Sequence, residues 1–324
     1  MRRAVLLLAP AIVVATELTL NVSVDGDTFL PYQPIYATLT VANSGSRSVA
    51  VPDLARWYVG DCFDVFVVAE GGESLMGPRM FLQHQFGANS PDVLQLAPGD
   101  STWSYFEFSD WTGFMSKEAG DWFHLTPGKY KVVARWRLGM YLEGGPWTGD
   151  AERPATFVVR SPTDSEVAAM NLYRNVLYFE NARYWLDSGY RSLTSPWERR
   201  EDEWKRVSRH AAALVTQFPS MLPYCPAAMG RLMRVYAARL IYIHDPPEAI
   251  AVWRDSVVSL YKELIERYPD TPTAKFYLGE SDYLDRLMGR GTHRAYVASL
   301  AGRFPNTRVG AEVSRLLRDP EMEK

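Results

Sequence analysis

The spacing of apolar residues changes at one point of the chain, within residues 155–166, ATFVVRSPTDSE. Before this segment apolar side chains recur at every second position, as in β-strands, and after it they recur every three to four positions, as in helices. The proline of Ser161-Pro162 ends the last strand because it fixes φ and lacks a backbone N–H. Thr163 and Glu166 then have the spacing of a capping box. The sequence therefore predicts two domains, all-β over residues 16–160 and all-α over residues 163–324.

The first fifteen residues have the order of a secretory signal peptide. Met1-Arg2-Arg3 is positively charged, residues 4–14 are mostly apolar, and Val13-Val14-Ala15 is a small-residue cleavage site. The apolar run is too short to span a bilayer, and no later segment is long and apolar enough to do so. We predict cleavage after Ala15 and a periplasmic or extracellular location, the alternative being a first buried β-strand.

Residues 16–160 contain about eight short alternating segments separated by turn residues, the pattern of an antiparallel β-sandwich. Three segments carry a more specific likeness: LPYQPIYATLTVANSGSRSVAV, LAPGDSTWSYFEF and LTPGKYKVVARW, at residues 30–51, 96–108 and 125–136. They resemble those of bacterial immunoglobulin-like domains. The resemblance implies an immunoglobulin-like sandwich and transfers no functional residue.

The α half contains a repeat of the form L-x-x-x-[FY]-P-[SDN]. It occurs at Leu214–Ser220, Leu264–Asp270 and Leu300–Asn306. The aromatic residue is expected to pack inward, proline ends the helix, and the small polar residue precedes the next helix. Repeated helical units of this kind predict a solenoid, in which each unit is buried by its neighbour.

The repeats resemble the tetratricopeptide-like repeats of bacterial envelope proteins, most closely in YKELIERYPDTPTAKFYLGE, residues 261–280. The resemblance implies about three helix pairs, closed by a terminal helix over residues 307–317, with a groove that binds a protein or peptide. The array is degenerate, because Phe218, Tyr268 and Phe304 are 50 and 36 positions apart, against a period of about 34 in that family.

Helix starts and packing faces are also visible in the α half. Thr271 and Thr292 are predicted N-caps, since their hydroxyls can accept from the first free N–H groups of a helix. One helix has a single apolar face that must pack on its neighbours. That face consists of Ile250, Trp253, Val257, Leu260, Leu264 and Tyr268.

The chain has two cysteines, Cys62 in the β half and Cys225 in the α half. In an oxidising compartment they could form a disulfide that joins the two domains. The alternative is two separate buried thiols, because free cysteine is among the most buried residue types. Neither cysteine belongs to a C-x-x-C or zinc-ligand pattern.

Two tryptophans, Trp111 and Trp147, lie in predicted loops of the β half. Loops carry binding residues more often than strands do, so these rings are candidate ligand-binding residues for a glycan, such as one of the cell wall. The alternative is structural, because large aromatic side chains also fix long loops over a core.

Composition and motifs together favour binding over catalysis. A net charge of −3 gives no basic footprint for nucleic acid. The five histidines have no metal-ligand spacing, and the sequence contains no G-x-S-x-G, Walker or G-x-G-x-x-G motif. We therefore predict no catalytic residue, metal or cofactor, and an exported scaffold or binding protein of the bacterial cell envelope that acts through protein–protein contacts. The alternatives are a glycan-binding module, and a hydrolase or protease inhibitor with a site built from loops.

Overall fold

The computed structural model describes residues 18–54, 63–72, 74–75, 93–107, 125–136, 141–142, 145–146, 154–186, 198–242, 247–279 and 281–318. Strands occupy the described part as far as Val159, and helices follow from Asp164. The predicted order, a β-rich region followed by a helical region, is confirmed.

The β region contains twelve strands among the described residues. They are β1 (Leu18–Val24), β2 (Thr28–Phe29), β3 (Tyr36–Asn43), β4 (Val49–Pro52), β5 (Phe63–Ala69), β6 (Ser74–Leu75), β7 (Val93–Leu96), β8 (Ser101–Glu107), β9 (Gly128–Trp136), β10 (Tyr141–Leu142), β11 (Gly145–Pro146) and β12 (Ala155–Val159). One sheet has the order β1-β3-β8 and another has the order β2-β12-β9-β5-β6, while β4 pairs with β7 and β10 with β11. These pairings are antiparallel, as predicted, except that β2 runs parallel to β12.

Alternation along the strands builds the core of the β region. In β3, Ala37, Leu39 and Val41 are fully buried while Thr38 and Thr40 between them are only partly covered. Buried residues from the three-stranded and the five-stranded sheet belong to one cluster, which includes Leu20, Leu39, Phe106, Val67, Val132 and Phe157. One face of the β1-β3-β8 sheet therefore packs in the β core.

The helical region contains eight helices among the described residues. They are α1 (Asp164–Leu186), α2 (Glu198–Gln217), α3 (Cys225–Tyr242), α4 (Pro247–Arg267), α5 (Pro272–Gly279), α6 (Ser281–Met288), α7 (Arg290–Ala301) and α8 (Arg308–Leu316). Within this part of the chain, no helix combines the length and the apolar character that a membrane crossing requires.

The three repeat motifs form the connections α2–α3, α4–α5 and α7–α8. In the second and third, Thr271 and Thr307 make the same contacts. Each hydroxyl accepts from the N–H three residues later, at 3.3 and 3.2 Å, and donates to the carbonyl of the helix-ending aromatic residue, at 2.8 and 2.9 Å. Thr271 is therefore the N-cap of α5, as predicted.

Successive motif loops are also bonded to each other. Tyr268 donates from its hydroxyl to the carbonyl of Pro219 at 3.4 Å, and Val309 donates from its N–H to the carbonyl of Pro269 at 3.0 Å. The loops therefore lie side by side, and the helices that follow them start from one side of the helical region.

Two local predictions in this region are wrong. Thr292 is not an N-cap, since α7 already begins at Arg290, directly after Gly289. Gly289 has φ of +81°, a conformation that glycine adopts without strain and that separates α7 from α6. Ile250 does not join the packed face of α4: its side chain is 38% exposed, whereas Val257 and Leu264 farther along are fully buried.

The capping box at the start of α1 forms through Glu166. Its carboxylate accepts from the N–H of Thr163 at 2.8 Å, and the Thr163 hydroxyl donates to the same group at 3.0 Å. Arg160, on the other side of the turn, contributes two more bonds at 2.8 and 2.5 Å. These bonds link the end of β12 to the first turn of α1.

Glu166 is expected to make stability depend on pH. Its bonds to Arg160 and Thr163 lower the pKa of the carboxyl to about 2, from about 4.3 in the unfolded chain. The stabilisation is fully present above pH 5 and is lost as the pH falls towards 2. At pH 7 we expect Glu166→Gln to lower the free energy of unfolding by about 1 kcal/mol, since Arg160 is partly exposed.

Denaturant unfolding of the wild type and the variant at pH 7, 5 and 3 checks this prediction. The difference between the two proteins should shrink at pH 3. Glu263→Gln is the matched control, because Glu263 forms an exposed ion pair with Arg267 within α4. A Glu166→Gln difference that stays constant with pH would contradict the assigned role.

Candidate functional site

Most residues that the sequence singled out lie outside the described residues. These are Trp111, Trp147 and Cys62, so the glycan site and the disulfide stay predictions. Cys225 is described and fully buried, and its thiol donates to the carbonyl of Phe218 at 2.9 Å. Burial raises the pKa of this thiol to about 11. It is therefore protonated at neutral pH and unsuited to act as a nucleophile.

The described residues place a different group of polar and aromatic side chains together, between the β and helical regions. Along β8, Phe106 belongs to the β core. Because side chains alternate along a strand, Trp103, Tyr105 and Glu107 lie on the opposite face of the β1-β3-β8 sheet. Tyr36 of β3 is the register partner of Glu107 and lies beside it. We call the contact between this sheet face and the helices the inter-region interface.

An ion pair lies inside the inter-region interface. Arg231 of α3 donates to a carboxylate oxygen of Glu107 at 2.8 Å, and the two side chains are only 4% and 5% exposed. Two buried charges are stable only when they are paired, because each would otherwise lose its hydration without compensation. This pair therefore fixes how α3 lies against β8.

Tyr36 makes the second buried contact. Its hydroxyl donates to the hydroxyl of Thr273 in α5 at 3.1 Å. Its ring lies 5.7 Å from the Tyr105 ring, nearly parallel to it, and 5.3 Å from the ring of Phe276. Burial raises the pKa of Tyr36 well above its ordinary value, so the hydroxyl remains a neutral donor.

Tyr105 lies at the more open end of the inter-region interface. Its hydroxyl donates to Asp25 at 2.7 Å, and Asp25 also forms an ion pair with Arg308 at the start of α8. The ammonium nitrogen of Lys275 lies 3.7 Å from the centre of the Tyr105 ring, a cation–π contact. Burial lowers the pKa of Lys275.

A loop of the β region enters the helical core. Leu30 is 2% exposed and belongs to the hydrophobic cluster of the helices. The hydroxyl of Tyr224 donates to the carbonyl of Pro31 at 2.8 Å. Tyr32, with φ of +63°, lies under the guanidinium of Arg174 at 5.1 Å. A non-glycine residue in this conformation is uncommon and is held by its surroundings, here by the helices.

A buried histidine lies elsewhere in the helical region. His293 is fully buried; its Nε2 is 3.1 Å from the hydroxyl of Tyr261 and its Nδ1 is 2.8 Å from a carboxylate oxygen of Asp285. Burial raises the pKa of Tyr261 well above its ordinary value, which makes it a poor proton donor or nucleophile. This group joins α4, α6 and α7, and its burial suits structure better than catalysis.

The sequence did contain signals for the inter-region interface. Glu107 stands between Phe106 and Phe108, and Arg231 stands in an otherwise apolar stretch of α3, residues 227–233. An isolated charge in an apolar context needs a partner of opposite charge. The ring of Tyr173, in the helical core, lies beside that of Tyr224.

Comparison with known proteins identifies no relative of the chain. No protein-family model matches the chain, and no curated protein sequence matches it significantly.

Proposed function

We propose that the chain is an exported, non-catalytic binding or scaffold protein that acts in the bacterial cell envelope through protein–protein contacts. The observation that carries the proposal is the inter-region interface. A scaffold must hold its binding surfaces at a fixed spacing, and the buried Glu107–Arg231 pair and the Tyr36–Thr273 bond supply such a constraint. In this proposal the β region is an immunoglobulin-like sandwich, and the helical region is a degenerate tetratricopeptide-like repeat.

The environment of the reactive side chains supports a non-catalytic role. Cys225 is a buried thiol with a raised pKa, and His293 is enclosed by Tyr261 and Asp285. These groups are engaged in packing and hydrogen bonding rather than presented to a substrate.

The start of α4 offers a surface for a protein partner. Val252, in the second turn of the helix, is 63% exposed. Large aliphatic side chains in the centre of an interface contribute through burial of their apolar area. We place the contact with the partner there.

Affinity capture tests the proposal. The mature chain, residues 16–324, is incubated with a bacterial envelope fraction, crosslinked mildly and recovered. We expect one protein partner, whose affinity falls at least about 10-fold with Val252→Glu, equivalent to about 1.4 kcal/mol. Ala212→Glu, at an exposed position of α2, should recover the partner normally.

The other outcomes separate the alternatives. Recovery of cell-wall glycan without a protein would contradict the proposal and favour the loops that contain Trp111 and Trp147. If the partner were recovered equally with Val252→Glu, the scaffold function would stand, but the contact with the partner would not lie at α4.

A further inference from the structure

Each helix that follows a repeat motif contributes cations to the same sheet face. Arg231 of α3 pairs with Glu107, Lys275 of α5 lies over the Tyr105 ring, and α8 supplies Arg308 and Arg315. The guanidinium of Arg315 lies 5.1 Å from the centre of the Trp103 ring. The repetition arises because the three motif loops lie side by side, so the helices after them present equivalent faces.

The sheet face is complementary to these helices. It offers two acids, Glu107 and Asp25, and the aromatic rings of Tyr36, Tyr105 and Trp103. Acids attract the arginines, and aromatic faces attract cations that lose part of their hydration. The charges of the two faces are thus complementary.

One end of the inter-region interface is as deeply buried as a protein core. Glu107, Arg231, Tyr36 and Thr273 are all at most 5% exposed, and Leu30 is shared with the helical core. A peripheral contact between two domains would instead be solvated and easily separated. These side chains therefore hold the two regions together independently of the covalent link between them.

The covalent link is short and exposed. It consists of residues 160–163, and the side chains of Ser161 and Thr163 are open to solvent. Arg160 and Glu166 form an ion pair across this turn.

We propose that the face formed by α3, α5 and α8 is a protein-binding surface whose occupant is the chain's own β1-β3-β8 sheet. The helical face that follows the repeat motifs is consequently closed to other proteins while the chain is folded, and external partners bind other surfaces. The inference does not depend on the identity of any partner.

Cutting the link in the folded chain tests this. A recognition sequence for a site-specific protease is inserted between Pro162 and Thr163 of the full chain, and the folded protein is cleaved. Size-exclusion chromatography and native mass spectrometry should show both fragments in one 1:1 complex at low micromolar concentration. Separate elution of the two fragments, each with native circular dichroism, would overturn the proposal.

Variants of the cleaved chain locate the affinity. Glu107→Ala removes the carboxylate that accepts from the buried Arg231, and we expect the dissociation constant to rise at least about 30-fold. Glu70→Ala is the matched control, since Glu70 pairs with Lys129 on the β region and both are 67% exposed; the complex should be unchanged. If Glu107→Ala prevents folding, the double variant Glu107→Leu/Arg231→Met, which removes both charges, should restore the complex. Equal affinities for the Glu107→Ala, Glu70→Ala and unaltered chains would contradict the assigned surface.

Discussion

Replacing Arg231 with methionine should lower the free energy of unfolding by about 3–5 kcal/mol, because it removes the guanidinium that donates to the buried carboxylate of Glu107. Glu107 is 5% exposed and lies beside the ring of Tyr36, so water cannot easily replace the lost guanidinium. Urea unfolding followed by circular dichroism measures the change. The slope of the transition should stay close to that of the wild type if both regions unfold together.

Two variants make this prediction specific to the pair. Glu107→Leu combined with Arg231→Met should recover most of the loss, since replacing both charges by apolar groups is often neutral or stabilising. Lys129→Met removes one member of the exposed pair with Glu70 and should change stability by less than about 1 kcal/mol. A loss below about 1 kcal/mol for Arg231→Met would show that the buried charge is solvated in solution.

Gly230→Ala should also be strongly destabilising, although alanine normally favours a helix over glycine by about 0.5–1 kcal/mol. A Cβ at this position of α3 would lie 2.2 Å from a ring carbon of Tyr277. Tyr277 is 2% exposed, so its ring cannot move away freely. Forcing the two helices apart should cost about 1–3 kcal/mol, and the effect would extend to neighbouring Arg231.

The comparison with Gly291→Ala isolates the steric cause. Nothing lies within 4 Å of a Cβ at Gly291 in α7, so this substitution should stabilise the protein by about 0.5 kcal/mol. Thermal and urea unfolding of both variants measure the contrast. In a Tyr277→Leu background the cost of Gly230→Ala should fall, because the obstructing ring is absent. If Gly230→Ala stabilised the protein as Gly291→Ala does, close packing of α3 on α5 would be refuted.

Local features of this fold were predictable from the sequence. The change of periodicity, the turn at Thr163 and the cap at Thr271 depend on neighbouring residues, so a short stretch contains all the information needed. Thr292 shows where this reasoning fails. Its hydroxyl could cap a helix, but the positive φ of Gly289 sets the start of α7 three residues earlier.

The candidate site was not predictable in the same way. Glu107 and Arg231 are 124 residues apart, and Tyr36 and Thr273 are 237 apart. The sequence around each of these residues indicates that it needs a polar partner. The packing of the sheet on the helices determines which residue that partner is. Ile250 has the spacing of a buried face in the sequence, but it lies near the start of α4, where the described neighbours leave it exposed.

The Asp25–Arg308 ion pair has a consequence for synthesis of the chain. The two residues are 283 positions apart, so at typical translation rates Asp25 emerges roughly 15–60 s before its partner. From the emergence of β8 to the end of that interval, the aromatic face of β3 and β8 is without α8, the last of the helices that cover it. A chain truncated before residue 308 would therefore leave this face incompletely covered, and we expect it to associate with other chains.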